Sequence, residues 1–185
     1  MDAPSPSAPT PSAPTSGLVY ADVPNRVIAI IIDFFILAVI FVIVGIVLAA
    51  VGLATGAIGT SGSSSAVGSI VGAIIGLLVG GGYFVYTWTS MRATIGMRLL
   101  GMQVGNAGDG RTLTTDQAVR RYLALAGPGV IANFFSGFPV IGALLSLLSL
   151  GWVIYLLYTT ANSPTKQGWH DVFANTQVVK AAKTV

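Results

Sequence analysis

The feature that most constrains this fold is a long apolar run that contains one charge. From Val27 to Val51 the only charged side chain is Asp33, and as a helix the run is long enough to cross a hydrocarbon core about 30 Å thick. An Asp at the centre of a membrane helix costs on the order of 2.5 to 3.5 kcal/mol. Arg26 lies seven residues earlier on nearly the same helix face, about 10 Å away along the axis. Asp33 is therefore a candidate functional residue, and Arg26 is its candidate partner.

The composition excludes an ordinary soluble surface. Hydrophobic residues make up 54% of the 185 residues, charged residues make up 8%, and the mean hydropathy is +0.81; soluble domains carry roughly a quarter charged residues. We expect one integral membrane domain in a lipid bilayer. The chain has no cysteine, and its nine Lys and Arg residues are spread through short polar segments, so we expect neither thiol chemistry nor nucleic-acid binding.

The sequence predicts a disordered tail followed by an all-α membrane domain. Residues 1–20 are rich in Pro, Ser, Ala and Thr and have no apolar period, whereas residues 21–185 hold the apolar runs. The predicted segments are 26–52, 66–88, 116–136 and 139–160. The third is short and interrupted by Gly127-Pro128-Gly129, so crossing, re-entering and lying on the membrane surface all remain open for it. Between the first two segments, Thr55 to Ser65 is rich in Gly, Ser and Thr, carries no charge and is predicted to form a short external loop.

The distribution of positive charge favours four segments with both termini cytoplasmic. In that arrangement all nine Lys and Arg residues lie on one side of the membrane, whereas three segments would move the three lysines of the tail to the other side. Because cytoplasmic loops are enriched in Lys and Arg, we expect a multi-pass protein of the inner or plasma membrane.

The connector from Ser90 to Arg121 predicts a small cytoplasmic β element. Leu99 to Val104 is typical of a strand, and Arg111 to Leu113 of a return strand that completes a β-hairpin. A hairpin alone is only marginally stable, so we expect Thr176 to Lys180 to add a third strand. The spacing Thr114-x-x-Gln117 predicts a capping box at the start of the next helix.

Small and aromatic residues predict how the second segment packs. A ridge of glycines at four-residue steps allows close helix packing, within the chain or between copies in a homo-oligomer, with Gly45, Ala49 and Gly52 as a matching surface on the first segment. The aromatic residues at the end of the same segment predict an interfacial belt of Tyr83, Tyr86 and Trp88. The ridge consists of Gly68, Gly72, Gly76 and Gly80.

The residue inventory argues against an enzyme. One His, no Cys and no Glu leave no zinc constellation, and the connector glycines are not followed by the Gly-Lys-Ser/Thr of a phosphate-binding loop. His170 and Asp171 are neighbours but lack a nucleophile. We therefore expect no catalytic residues, no metal and no cofactor.

Several short motifs in a fixed order carry a family resemblance. In chain order they are Asn25-Arg26, Asp33, Thr94-x-Gly96, Arg98-Leu99-Leu100-Gly101, Arg121, Gln167-Gly168-Trp169-His170-Asp171 and Thr176-x-Val178-Val179. The combination, over about residues 20 to 181, resembles the RDD family of membrane proteins, named for one arginine and two aspartates. By similarity Arg26, Asp33 and Asp171 fill these positions. Met97 departs from the pattern, because a Lys often follows the Thr-x-Gly pair.

The resemblance implies transport of ions or small solutes, including sodium/proton exchange, which has been suggested for some members. The residues themselves leave two hypotheses open. Arg26, Asp33, His170 and Asp171 form a site at the inner face that binds an ion or solute, such as a proton or a monovalent cation. Alternatively, the same residues lock the helices of a scaffold that transports nothing, with a connector arginine completing the network.

Overall fold

A computed structural model describes residues 19–55 and 66–180, and within these ranges the chain is mostly helical. The helices are α1 (Val23–Thr55), α2 (Ala66–Tyr86), α3 (Ile95–Leu99), α4 (Thr115–Phe134), α5 (Pro139–Asn162) and α6 (Trp169–Phe173), and the strands are β1 (Met102–Asn106) and β2 (Thr176–Lys180). A π-helical turn, Thr87–Met91, extends α2. The described helices include three that are long and apolar enough to span a membrane: Val23–Val51, Gly68–Met91 and Pro139–Asn162. The expected helical membrane architecture is confirmed at this level.

The sheet joins parts of the chain that are far apart in sequence. β1 and β2 pair antiparallel, with Met102 opposite Lys180 and Asn106 opposite Thr176, which confirms the predicted pairing of the tail with the connector. The predicted hairpin is wrong, because Arg111 to Leu113 forms no strand and contributes one backbone bond, from Asn106 N to Arg111 O at 2.9 Å. The chain turns away there because Leu113 is buried in the core and Thr114 already caps α4.

The residues just before α1 cover the second edge of β2. Tyr20 forms a bridge with Val179, and Lys180 N donates to Val19 O at 2.8 Å. Val19 and Tyr20, at the end of the predicted tail, are thus paired through their backbone. Residues 1–18 of that tail and residues 56–65 of the predicted loop lie outside the described part. Three segments meet in this sheet: the chain before α1, the connector between α2 and α4, and the chain after α5. We call this end of the helices the sheet end.

Helix α4 runs unbroken through the Gly-Pro-Gly sequence that was predicted to interrupt it. Pro128 has no N–H to donate to the carbonyl of Ala124, four residues earlier. Trp152 of α5 supplies the missing donor, because its Nε1 donates to Ala124 O at 2.8 Å. A partner from the neighbouring helix therefore keeps α4 continuous, as in membrane helices that tolerate proline.

Helix packing differs from the expected pairing of the first two segments. α2 packs mainly against α4, α4 also packs against α5, and α1 packs chiefly against α3. Gly80 lies against Tyr122 of α4, where a Cβ would be 3.0 Å from the hydroxyl oxygen, whereas a Cβ at Gly72, Gly76 or Gly45 would meet nothing within 4 Å. The glycine ridge thus makes a close contact at Gly80, and its partner there is α4, not α1.

Candidate functional site

Two buried arginines hold one buried carboxylate at the sheet end. Arg26 Nη1 donates to Asp171 Oδ2 at 2.7 Å, and Arg121 Nη1 donates to the other oxygen, Oδ1. The three residues are 8%, 0% and 4% exposed in the order Arg26, Asp171, Arg121. Thr176 Oγ1 accepts a further bond from Arg121 Nη1 at 2.6 Å. We call Arg26, Asp171 and Arg121 the brace.

The brace ties four elements together. Arg26 at the start of α1 also donates from Nε to Ala21 O at 3.1 Å and from Nη2 to Val178 O at 3.4 Å, which fixes it against β2. Arg121 belongs to α4, and Asp171 lies in α6, where Oδ2 also accepts from Gly168 N at 3.3 Å. Burial alone raises the pKa of Asp171, but the charges of Arg121 and Arg26, and that of His170 when it is protonated at low pH, outweigh burial and hold that pKa well below its usual range. Asp171 is thus an ionised structural carboxylate.

Asp33 bonds to α2 and α3 and not to Arg26. Tyr83 Oη donates to Asp33 Oδ1 at 2.7 Å, and Gly96 N donates to the same oxygen at 2.9 Å. The other oxygen, Oδ2, accepts no hydrogen bond from residues 19–55 or 66–180. The sequence suggested one cluster of Arg26, Asp33 and Asp171, but the structure separates it into the brace and the Asp33 site. Arg26 forms its ion pair with Asp171, and Asp33 accepts a hydrogen bond from the N-terminus of α3 instead.

The Thr-x-Gly motif allows α3 to approach α1 closely enough for the Asp33 contact. Thr94 is the N-cap of α3, and its Oγ1 accepts from Met97 N at 3.1 Å. A Cβ at Gly96 would lie only 2.2 Å from the backbone oxygen of Ala29. Any larger residue would therefore push α3 away from α1 and lengthen the Gly96 N to Asp33 bond. Met97, where the family pattern often has Lys, is buried.

Asp33 and the two arginines line one cavity of about 90 Å³, which we call the sheet-end cavity. Its walls come mainly from apolar side chains of α1 and α5, including Val27, Ile30, Val153 and Leu156. Asp171 is absent from the lining, since the arginines cover it. The polar side chains that do reach the lining are Arg26, Asp33, Thr94, Arg121, Thr160 and His170.

His170 is buried and uncharged at neutral pH. Burial lowers the pKa of His170 to about 4; the Asp171 carboxylate opposes this effect, whereas Arg121 and Arg26 add to it. His170 Nε2 lies 3.6 Å from Asp171 Oδ2, and Nδ1 has no hydrogen-bond partner in the described part of the chain. The imidazole therefore packs beside the brace as a neutral group.

The structure adds Arg121, Tyr83 and Trp88 to the expected site. Arg121 completes the brace and stacks over Trp88, with its Cζ 4.9 Å from the ring centroid. Trp88 is buried and Tyr83 binds Asp33, so neither belongs to the predicted interfacial belt, whereas Tyr86 is exposed. In the sequence, the signal that could have identified Arg121 was its place among the ordered family motifs. The π-helical turn that carries Trp88 has no equally clear signature in the sequence.

Within residues 19–55 and 66–180 no group of three or more His, Cys, Asp or Glu side chains is placed to hold a metal ion.

Comparison with known proteins finds a family match. No curated protein and no solved structure matches the chain. The model of the RDD family matches residues 20–175, which include Arg26, Asp33 and Asp171 together with Arg121 and the cavity lining up to His170. The chain therefore belongs to the RDD family of membrane proteins.

Proposed function

We propose that this protein binds an ion or small solute in the sheet-end cavity and carries it across the membrane. In this proposal Asp33 is the residue that binds the ion or solute directly. The observation that supports this most is the difference between the two buried carboxylates. Asp171 is neutralised by two arginines and lies behind them, whereas Asp33 lines the cavity with one oxygen unbonded among the described residues. An intramembrane carboxylate of this kind suits a site that exchanges a proton for a cation.

The same proposal includes four membrane segments with both termini in the cytoplasm of a cell whose inner or plasma membrane holds the protein. The sheet supports it, since the chain before α1, the connector and the chain after α5 meet at one end. If α5 crosses the bilayer, α4 has to cross or re-enter beside it for β2 to reach β1. The concentration of Lys and Arg toward that end supports the cytoplasmic placement.

Asp33→Asn tests the transport role. The amide oxygen of Asn can still accept from Tyr83 and Gly96, so the variant is expected to fold, whereas the charge and the proton-binding oxygen are lost. We expect wild-type protein in reconstituted vesicles to show cation-driven proton flux and Asp33→Asn to lose at least nine tenths of it. Asp116→Asn, which changes an exposed aspartate on α4, is the matched control. Full flux from Asp33→Asn excludes Asp33 as the carrier.

A scaffold without transport is the second candidate, and the brace favours it. All three charges of the brace are buried and paired with one another, an arrangement that fixes elements in place. This alternative predicts no flux from wild-type vesicles, and a lower yield of folded Asp33→Asn on size-exclusion chromatography. A folded, monodisperse Asp33→Asn without flux, beside an active wild type, decides for transport.

A further inference from the structure

The sheet-end cavity opens on the surface of the spans. Ile30, Val153 and Leu157 line the cavity and are also 47%, 48% and 37% exposed. They lie in the candidate spans Val23–Val51 and Pro139–Asn162, so we expect the outer surface that they form to face lipid. α1 and α5 pack against each other only lightly. The cavity is therefore accessible from the bilayer between α1 and α5.

The cavity lining is apolar apart from the six polar side chains named above. Leu156, Met97 and Trp88 are buried there, beside Asp33. Ca²⁺ and Mg²⁺ take six or more oxygen ligands, whereas the side chains of the described lining offer at most four oxygens: the two of Asp33 and the hydroxyls of Thr94 and Thr160. The apolar side chains of the lining, such as Val27, Val153 and Leu156, offer van der Waals contacts to carbon atoms and no ligand to an ion. The walls therefore suit an organic ligand better than a divalent metal ion.

We propose that the cavity binds the head of a membrane amphiphile that enters from the bilayer between α1 and α5. The first carbons of its chain lie against Val27, Val153 and Leu156, the rest of the chain stays in the lipid, and an O–H or N–H of the head donates to Asp33 Oδ2. A volume of about 90 Å³, smaller than the roughly 150 Å³ of an engineered cavity that binds benzene, admits a small head and a few carbons only. This inference rests on the proposed function, because it uses the same cavity and the same carboxylate, that of Asp33. It adds the class of ligand, a membrane amphiphile.

Photolabelling of the unmodified protein tests this inference without a transport assay. The probe is a long-chain alcohol with a diazirine close to its hydroxyl end, added to phosphatidylcholine vesicles that contain the protein; its methyl ether, which has no donor, is the matched probe. We expect adducts on the buried residues Leu156 and Met97 with the alcohol and at least fivefold fewer with the ether. Val140 and Leu148, which are exposed on α5, should be labelled equally by both. Labelling confined to exposed residues, or equal labelling of Leu156 by both probes, overturns the proposal.

A variant at the mouth provides an independent check. Val153→Phe places a larger side chain where the cavity opens, and we expect it to abolish the labelling of Leu156. Ile154→Phe is the control, because Ile154 is exposed on the same helix but does not line the cavity. Unchanged labelling in Val153→Phe contradicts entry between α1 and α5. Labelling of Leu156 without solute flux refutes transport and keeps this inference, whereas flux without labelling refutes this inference alone.

Discussion

At the scale of single residues, the two aspartates at the positions that give the RDD family its name, Asp33 and Asp171, have different physical environments. Asp171 accepts from two guanidinium groups, a hydroxyl and a backbone amide. Asp33 accepts from a phenol and a backbone amide through one oxygen. Because the counter-charges lie at Asp171, that residue holds elements together, and the less fully bonded Asp33 is the one available to a ligand.

Asp171→Asn should strongly destabilise the protein. The substitution leaves Arg26 and Arg121 buried without their counter-charge, which costs about 3 to 5 kcal/mol when one member of a buried pair is removed. The free energy of unfolding in detergent, measured with denaturant, checks this value. Asp116→Asn breaks an exposed pair with Arg120 and should cost less than about 1 kcal/mol. Equal losses from the two variants would contradict the structural role of the brace.

The protonation of His170 should make stability depend on pH. Burial gives folded His170 a pKa of about 4, below the usual 6.5, so between these values the unfolded chain binds more protons. Its contribution is therefore present above pH 6.5 and is lost as the pH falls toward 4, to a limit on the order of 3 kcal/mol. Because the chain has one His, His170→Gln should flatten thermal unfolding midpoints across this range. An unchanged slope in His170→Gln would show that another group titrates.

At the scale of elements, α4 depends on α5 for its continuity. Proline in a helix frees the carbonyl four residues earlier, and Trp152 Nε1 bonds that carbonyl, Ala124 O. The contact explains how one helix packs between α2 and α5 without a break. We therefore expect the contributions of Pro128 and Trp152 to stability to be energetically coupled.

A double-mutant cycle of Trp152→Phe and Pro128→Ala should reveal this coupling. Trp152→Phe leaves Ala124 O without its donor, which costs about 1 to 3 kcal/mol. Pro128→Ala restores a backbone N–H at the right position, so it should recover more stability in the Trp152→Phe background than it adds to the wild type. We expect a coupling energy of about 1 kcal/mol from the free energies of unfolding. Additive effects would mean that Trp152 contributes through packing alone.

At the scale of the whole molecule, one small sheet gathers three remote segments and sets the arrangement of the helices. Val19–Ala21, β1 and β2 are joined by backbone hydrogen bonds, and the brace adds side-chain bonds to the same junction. Because these segments share one end, the helix pairs that connect them cross the membrane an even number of times or not at all. Finding the side of the membrane on which any two of these segments lie therefore tests the topology.

Cysteine labelling in this cysteine-free chain tests that topology. Asp109→Cys in the connector and Lys180→Cys in β2 are both at exposed positions, and we expect neither to react with a membrane-impermeant maleimide added to intact cells. Ser63→Cys, in the predicted external loop, is the positive control and should react. Both sheet-end positions should react after the cells are permeabilised. Reaction of Lys180→Cys alone in intact cells would contradict the shared side.

The sequence by itself determined the class of protein and most helix positions, because apolar runs of membrane length and a low charge content allow few alternatives. It also singled out Asp33 and Arg26, since a charge inside or next to an apolar segment has a recognisable cost, and the family resemblance added Asp171. The capping box at Thr114 followed from local spacing and is present. These features depend on neighbours along the chain.

Only the tertiary structure decided which charges pair. Arg26 and Asp171 are 145 residues apart in sequence, and nothing in the spacing favoured Asp171 over Asp33, which is close along the same helix. The continuity of α4 likewise depends on Trp152 of another helix, and the second edge of β2 is covered by residues with no strand pattern. Each outcome depends on which surfaces the packed helices bring together. The physical reason is that a buried polar group takes the partner that packing places within hydrogen-bond distance, and that distance is set by the whole fold.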